Sequence, residues 1–562
     1  MRKNGENEIS PLLTLGVTAA FRLLLTAGLA AGLGASSALA ADWPQWGGTT
    51  FGRNMYSPEK GLPAKFDPGK FKSGTEEVDL KTTKNVKWVA KLGSQSYGNA
   101  TVAGGKVFVG TNNDSPRDAQ HQGDRSILMV FDEKTGEFLW QLVVPKLKSG
   151  KVNDWENLGL LSSPTVEGDR VYLVTSRCEL ICLDVNGLAN GNDGPYKDEA
   201  KYAVLDTGLP PAKIGPKDAD IIWVYDMMDE LGVFPHNASN CSILVLDDLV
   251  YACTSNGQDW THSNIPSPLS PSFVAVNKKT GELAGEDDAH IGPRIYHGQW
   301  SSPSAGKVNG KNLVFFGGGD GWCYAFEPKP VKEGDTGLLK TVWKADCNPL
   351  EYKKTKDGKP IKYPAAEGPS EINATPVFYK NRIYVAIGQD PEHGEGVGNL
   401  VCIDATKTGD VTKTGFLWQY NKIHRSISTV SIDPETGLLF VGDFSGFVHC
   451  LDAETGKVHW VHDMKAHMWG STLVADGKVY VGDEDGDLVV LAASKEKQIL
   501  SKMSIDGREQ DGPNLGAPVY STPVVANGVI YIASNTHLYA FHDSAKSQAD
   551  EVPKVELKST GK

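Results

Sequence analysis

STVSIDPETGLLFVGDFSGFVHCLDAETGKVHWVHD, residues 428–463, is a chain of short apolar runs cut by turn residues. TVSI, LLFVG and FVHCLD read as strands A, B and C. Asp-Pro, Phe-Ser-Gly and Thr-Gly between them are turn chemistry, and KVHWVHD is a fourth strand, D. The next stretch, AHMWGSTLVADGKVYVGDEDGDLVVLA (Ala466–Ala492), repeats this grammar. Its acidic DEDGD has the look of a calcium loop. A loop of the EF-hand type needs glycine at its sixth position and a helix behind it. DEDGD instead occupies the turn between B and C, where other units have GGDG and FSG, and Asp-Gly suits a two-residue hairpin turn.

Working outward, the same unit begins near Asn99, Ser162, Asn240, Ser301, Asn373, Ser428, Ser471 and Ser521, which makes eight. Strand D often carries tryptophan: Trp140, Trp343, Trp418 and Trp460. The last unit stops at His542 without a strand D. A spare one, NVKWVAKL with Trp88, precedes the first unit. That N-terminal strand is expected to complete the last blade and close a ring, which removes the open sheet edges. The fold class is therefore all-β, an eight-bladed propeller of four-stranded antiparallel blades.

The chain has 562 residues, 61 of them glycine, and a formal net charge of -13. Such an acidic balance argues against nucleic acid as a partner. Arg2, Lys3 and Arg22 precede the apolar run LLLTAGLAAGLG, and Ala38 and Ala40 form an A-x-A site before Ala41. The expected order is a signal peptide at 1–40, an N-terminal extension at 41–84, the propeller at 85–542 and a polar, disordered tail at 543–562. The protein is expected to be exported, periplasmic or secreted, with no transmembrane segment after cleavage. Among its 8 cysteines, Cys182, Cys402 and Cys450 share one strand C register and read as small core residues. A Cys241–Cys253 disulfide depends on strand register.

The repeat resembles the PQQ-type propeller repeat, roughly G-x-L-x-A-L-D-x-x-T-G-x-x-x-W. GFVHCLDAETGKVHW (446–460) carries the likeness, with weaker copies in SILMVFDEKTGEFLW and GNLVCIDATKTGD. ADWPQWGGTTFGRNMYSP (41–58) is similar to the start of exported members. The resemblance implies that the strand D tryptophan packs one blade on the next. It implies two activities: quinoprotein dehydrogenases carrying PQQ with calcium, and non-enzymatic scaffolds like the outer-membrane assembly protein BamB. The chain has no two adjacent cysteines and no C-x-x-C-H haem site.

In a propeller the D–A links and B–C turns share one face, and the long insertions gather there. The B–C loops TNNDSPRDAQHQGDR, SNGQDWTHSNIPSPLSPS and GQDPEHGEGVGN are examples. Just before strand A, one aligned position holds Leu158, Asn237, His297, Ser370, His424 and His467, with His236 one residue away. Glu371 and Arg425 follow one residue later, and Trp469 lies close behind. Imidazoles bind metals, and histidine with arginine holds an anionic quinone or carboxylate. His236, His297, His424, His467, Glu371, Arg425 and Trp469, with Asp259 from a loop, are therefore the candidate ligand residues at the channel mouth. Glu371, Asn373 and Asp259 offer oxygens for a cation. The expected function is binding or scaffolding, with envelope proteins or a small anionic ligand as partners. The other reading is a PQQ-dependent oxidoreductase acting on alcohols or sugars.

Overall fold

The computed structural model describes residues 41–393, 396–505 and 508–544. The signal segment at 1–40 and the tail from 545 lie outside the described residues. Among the described residues no helix is long and apolar enough to cross a membrane.

Eight antiparallel sheets form the blades in chain order. Blade 6 is typical: Ser431–Ile432, Leu438–Gly442, Phe447–Asp452 and Val458–Asp463 pair consecutively. In the last blade, Val524–Ala526, Val529–Ala533 and His537–His542 are completed by Val86–Lys91, so the N-terminal strand closes the ring. Blade 7 departs from the pattern. Its strand D shrinks to a bridge between Leu491 and Ile499, and Tyr56–Ser57 adds a parallel strand on its inner edge. DEDGD is the B–C turn of that blade, with Gly486 at φ +91°.

The repeat signature has a packing cause. Each strand D indole donates to a backbone carbonyl of the next blade: Trp88 to Glu133, Trp140 to Val185, Trp223 to Lys278, Trp343 to Ala405, Trp418 to Ala453 and Trp460 to Ser494, at 2.9–3.2 Å. The cross-strand partner of the indole is small in most blades: Cys182 opposite Trp223, Cys402 opposite Trp418, Cys450 opposite Trp460, Ala325 opposite Trp343 and Ala540 opposite Trp88. A bulge follows immediately after each of these residues, which increases the local twist. The cysteines are thus spacers that admit the indole. All 8 are buried and free, Cys241 and Cys253 included.

A second belt runs around the channel. In all blades but the fifth, the side-chain oxygen of one residue at the start of strand A accepts a backbone N–H from the preceding blade. Ser163 accepts from Asn99, Ser242 from Ser163, Ser302 from Ser242, Thr429 from Thr375, Ser471 from Thr429, Thr522 from Ser471 and Asn99 from Thr522. Thr375 Oγ1 accepts the indole N–H of Trp46 at 2.9 Å. This accounts for the recurring Ser-Ser-Pro and Asn-Ala-Thr triplets.

Trp46 belongs to a strap, residues 41–59, laid across the A–B turn side of the ring. It reaches the inner strand of every blade or the residues that flank it. Trp43 bridges Val102, Pro44 accepts from Val166, Gly52 pairs with Ala305 and Phe378, and Asn54 pairs with Ile432. Tyr56 pairs with Val474, and Glu59 accepts from Asn527 and Gly528. The fully buried Arg53 guanidinium donates to the carbonyls of Ser242 and Ile243 in blade 3 and to Gln45.

Candidate functional site

With one end covered by the strap, the channel becomes a cavity of about 460 Å³. Its walls are aromatic: Trp46, Tyr97, Trp155, Trp300, Trp469 and Tyr520. Most hydroxyls on the wall already serve the inter-blade belt. The amide oxygens of Gln95, Asn237, Asn240 and Asn373 do not: all are buried, line the cavity and have no hydrogen-bond partner among the described residues. The charged lining groups are Glu156, Asp390 and Glu392; no lysine or arginine lines the cavity among the described residues. The small anionic ligand expected from the sequence therefore meets acids and no cation on this wall.

Beside the mouth, four imidazoles converge. His236 ends the link into blade 3, His262 sits in the B–C loop of blade 3, His297 ends the link into blade 4, and His393 comes from the B–C loop of blade 5. His236 Nε2 and His262 Nε2 face each other at 3.2 Å. The His297 ring centroid lies 4.2 Å from that of His236, 4.8 Å from that of His262 and 4.4 Å from that of His393. One ligand-capable atom from each of His236, His262 and His297 lies within 4.8 Å of the other two, and the same holds for His297, Asp390 and His393. His236 and His297 are fully buried. Burial pushes the His236 imidazole down to about 4 and that of His297 well below the usual range, with the neighbouring histidines adding to both effects. His236 and His297 are thus neutral near pH 7.

Glu371 stands behind this cluster. Its Oε1 accepts the Asp390 N–H at 2.8 Å, and its Oε2 has no partner among the described residues. Burial, then the Asp390 charge, pushes its carboxyl up to about 8. Arg425 donates to the carbonyls of Asp390 and Pro391 at 3.0 and 3.1 Å, clamping the loop that carries His393. Asp259 accepts from Thr261 and Asn264 and shapes the turn that carries His262. Trp469 joins the cavity wall and packs on Tyr97, Phe444 and Tyr520.

The structure therefore gathers His236, His297, Glu371 and Arg425 in one place. His424 and His467 stand apart. His424 pairs with Asp443 at 3.2 Å and His467 with Glu484 at 3.1 Å, each about half exposed. Sequence register missed His262, His393 and Asp390. Their only signal was membership of the long B–C loops of blades 3 and 5, which have no repeat register to align.

Comparison with known proteins fits this architecture. The family described as "Outer membrane protein assembly factor BamB" matches residues 74–193 and 417–499. A 1-butanol dehydrogenase (cytochrome c) of Thauera butanivorans is 25% identical over 186 residues, 30% of this chain and 27% of that protein. A quinohemoprotein alcohol dehydrogenase of Comamonas testosteroni is 27% identical over 128 residues, 21% of this chain and 18% of that protein. The chain thus spans only about a quarter or less of the length of these curated relatives. The solved quinohemoprotein alcohol dehydrogenase ADHIIG from Pseudomonas putida HK5 superposes with a TM-score of 0.52 at 13% identity, covering 89% of this chain and 80% of that one, which is a likeness of fold. Repeat, ring closure and matched family agree: the chain is a PQQ-like β-propeller, with quinoprotein alcohol dehydrogenases among its distant relatives.

Proposed function

We propose that this propeller is an exported binding protein whose channel takes a small, hydroxyl-rich neutral molecule of the sugar or polyol class. The observation that carries the reading is the set of unpartnered amide oxygens of Gln95, Asn237, Asn240 and Asn373 between aromatic walls. A buried acceptor left unpaired costs about 1–3 kcal/mol. A ligand rich in O–H donors relieves that cost, while Trp155, Trp300 and Trp469 offer flat apolar faces to its C–H surfaces. Export rests on the sequence of residues 1–40. N-terminal sequencing of protein recovered from the cell envelope should begin at Ala41.

The partial matches to alcohol dehydrogenases favour a second reading, a PQQ-dependent oxidoreductase. The residues do not fit that cofactor. A tricarboxylate quinone calls for arginine or lysine partners, and the described lining supplies three acids instead. Its calcium calls for six to eight oxygens, whereas the buried groups beside the mouth are mostly imidazoles. A scaffold role, which rests on the matched family's description, uses the same ring and leaves the cavity unexplained.

Thermal unfolding of the mature protein across a panel of sugars and polyols tests the proposal, with PQQ plus calcium as the comparison. A ligand that binds only the native state raises its stability. A concentration-dependent rise with a sugar or polyol, lost in Asn240→Ala/Asn373→Ala, is expected. A rise with PQQ plus calcium alone would replace this reading with the oxidoreductase.

A further inference from the structure

We propose that His236, His262 and His297 bind one divalent transition-metal ion, with His393 and Asp390 at the edge of the same site. The site adjoins the cavity but does not depend on what the cavity holds.

The spacing is that of a coordination sphere. A tetrahedral ion about 2.0–2.1 Å from each nitrogen sets neighbouring nitrogens about 3.3 Å apart. His236 Nε2 and His262 Nε2 are 3.2 Å apart. Without an ion, one of those two atoms must donate a proton to the other. With one, both direct lone pairs inward.

The tautomer of His236 is set for this role. Its Nδ1 lies 2.6 Å from the Gln258 carbonyl, which only accepts, so the proton sits on Nδ1 and Nε2 carries the lone pair. A ring nitrogen held by a backbone carbonyl while the other faces a metal is the usual support for a histidine ligand.

His297 supplies an independent observation. It is fully buried, and neither Nδ1 nor Nε2 has a hydrogen-bond partner among the described residues. Histidines that merely satisfy a channel wall bond to carbonyls or water. That explanation covers His236 Nδ1, and a hydrogen bond from His262 covers the facing Nε2 pair, but neither accounts for the two bare nitrogens of the buried His297. An ion held by His297 and by the facing Nε2 atoms accounts for all three rings at once.

The donor set narrows the metal. Imidazoles with one carboxylate suit zinc, copper(II), nickel or iron(II), whereas calcium and magnesium prefer all-oxygen shells. Asp390 lines the cavity, and the Trp300 ring on the cavity wall lies 5.3 Å from that of His297. The ion would therefore stand one side chain from a ligand in the channel.

The test is titration of the chelator-stripped full chain with zinc chloride, calcium chloride and cobalt(II) chloride, with no sugar present. One zinc per chain, nitrogen-type ligand-field bands with cobalt(II), and a thermal rise with zinc but not calcium are expected. His297→Ala and His262→Ala should each weaken zinc binding by about 100-fold or more. His424→Ala/His467→Ala, which removes two histidines elsewhere on the same face, should leave it unchanged. His262 is partly exposed in a loop, so its variant tests the site even if His297→Ala fails to fold. Absence of stoichiometric zinc binding, or equal loss in the His424/His467 control, overturns the proposal. Because the zinc titration contains no sugar and the sugar panel contains no zinc, either result can fail without the other.

Discussion

Trp418 of blade 5 lies flat on Gly456 of blade 6: a Cβ built at Gly456 would stand 2.7 Å from the indole. Gly456 also holds φ +70°. The Thr-Gly of the repeat is thus fixed twice, by turn geometry and by the neighbour's ring. Gly136 under Trp88, Gly187 under Trp140 and Gly281 under Trp223 make the same contact. Gly456→Ala is expected to cost about 2–4 kcal/mol from φ strain and overpacking together. Urea unfolding measures it. In the background of Trp418→Ala the cost should shrink toward the φ term alone, giving a coupling energy in a double-mutant cycle. Simple additivity would separate the glycine from the tryptophan.

This contact also marks what the sequence could disclose. The T-G-x-x-x-W spacing, the small residue opposite the indole and the spare strand with Trp88 all recur at fixed register, so the ring and its closure were legible. His236 and His297 were legible for the same reason, since they sit at a set distance before strand A. His424 and His467 occupy that register too, but the short B–C turns of blades 6 and 7 present Asp443 and Glu484, which pair with them. In blades 3 and 5 the B–C loops are long and deliver His262 and His393 instead. Loop residues carry no period, so no alignment could place them. The strap was opaque because its contacts, one inner strand after another, follow no repeat of its own.

Arg53 shows how much the strap contributes to the ring. Its guanidinium is fully buried and donates to Ser242, Ile243 and Gln45. Arg53→Met keeps the aliphatic stem but removes the donor to the Ser242 carbonyl and to Gln45, and leaves the Ile243 carbonyl with Thr165 alone. Unpaired buried acceptors cost about 1–3 kcal/mol each, so a loss of roughly 3 kcal/mol or more is expected by urea unfolding. Limited proteolysis should then cut within residues 41–59 while the blades stay intact. Resistance equal to the parent would mean that the strap is held by its backbone pairings alone.

Asp483 makes stability depend on pH. Its Oδ1 accepts the Asp487 N–H at 2.9 Å, while Oδ2 is buried without a partner among the described residues. Burial, then the charges of Asp487 and Asp485, pushes its carboxyl up to about 7. An acid with a raised folded value binds its proton more tightly in the native state. Its effect on stability is therefore most favourable below about pH 4, declines between about 4 and 7, and is constant above that. Asp483→Asn should remove this decline. Its urea midpoint is expected to exceed the parent's at pH 8 and not at pH 4. An equal shift at both would assign the effect to packing rather than ionisation.

Arg425 positions the cluster through the backbone of the blade 5 loop. Its hydrogen bonds to the carbonyls of Asp390 and Pro391 fix the start of the loop that delivers His393. Its guanidinium also lies 4.4 Å over the Phe444 ring, so the side chain is anchored from both sides. Arg425→Met keeps much of the packing on Phe444 and removes the donors. Loss of a group that orients a metal ligand typically weakens affinity about 10–100-fold. Zinc affinity should fall by that amount, while the metal-free unfolding midpoint moves less than in Arg53→Met. Arg425→Lys, with one compact charge in place of a planar fork, can hold one carbonyl and should recover part of the loss. A purely structural role would move both readouts together, and Lys would then restore stability and zinc affinity in the same proportion.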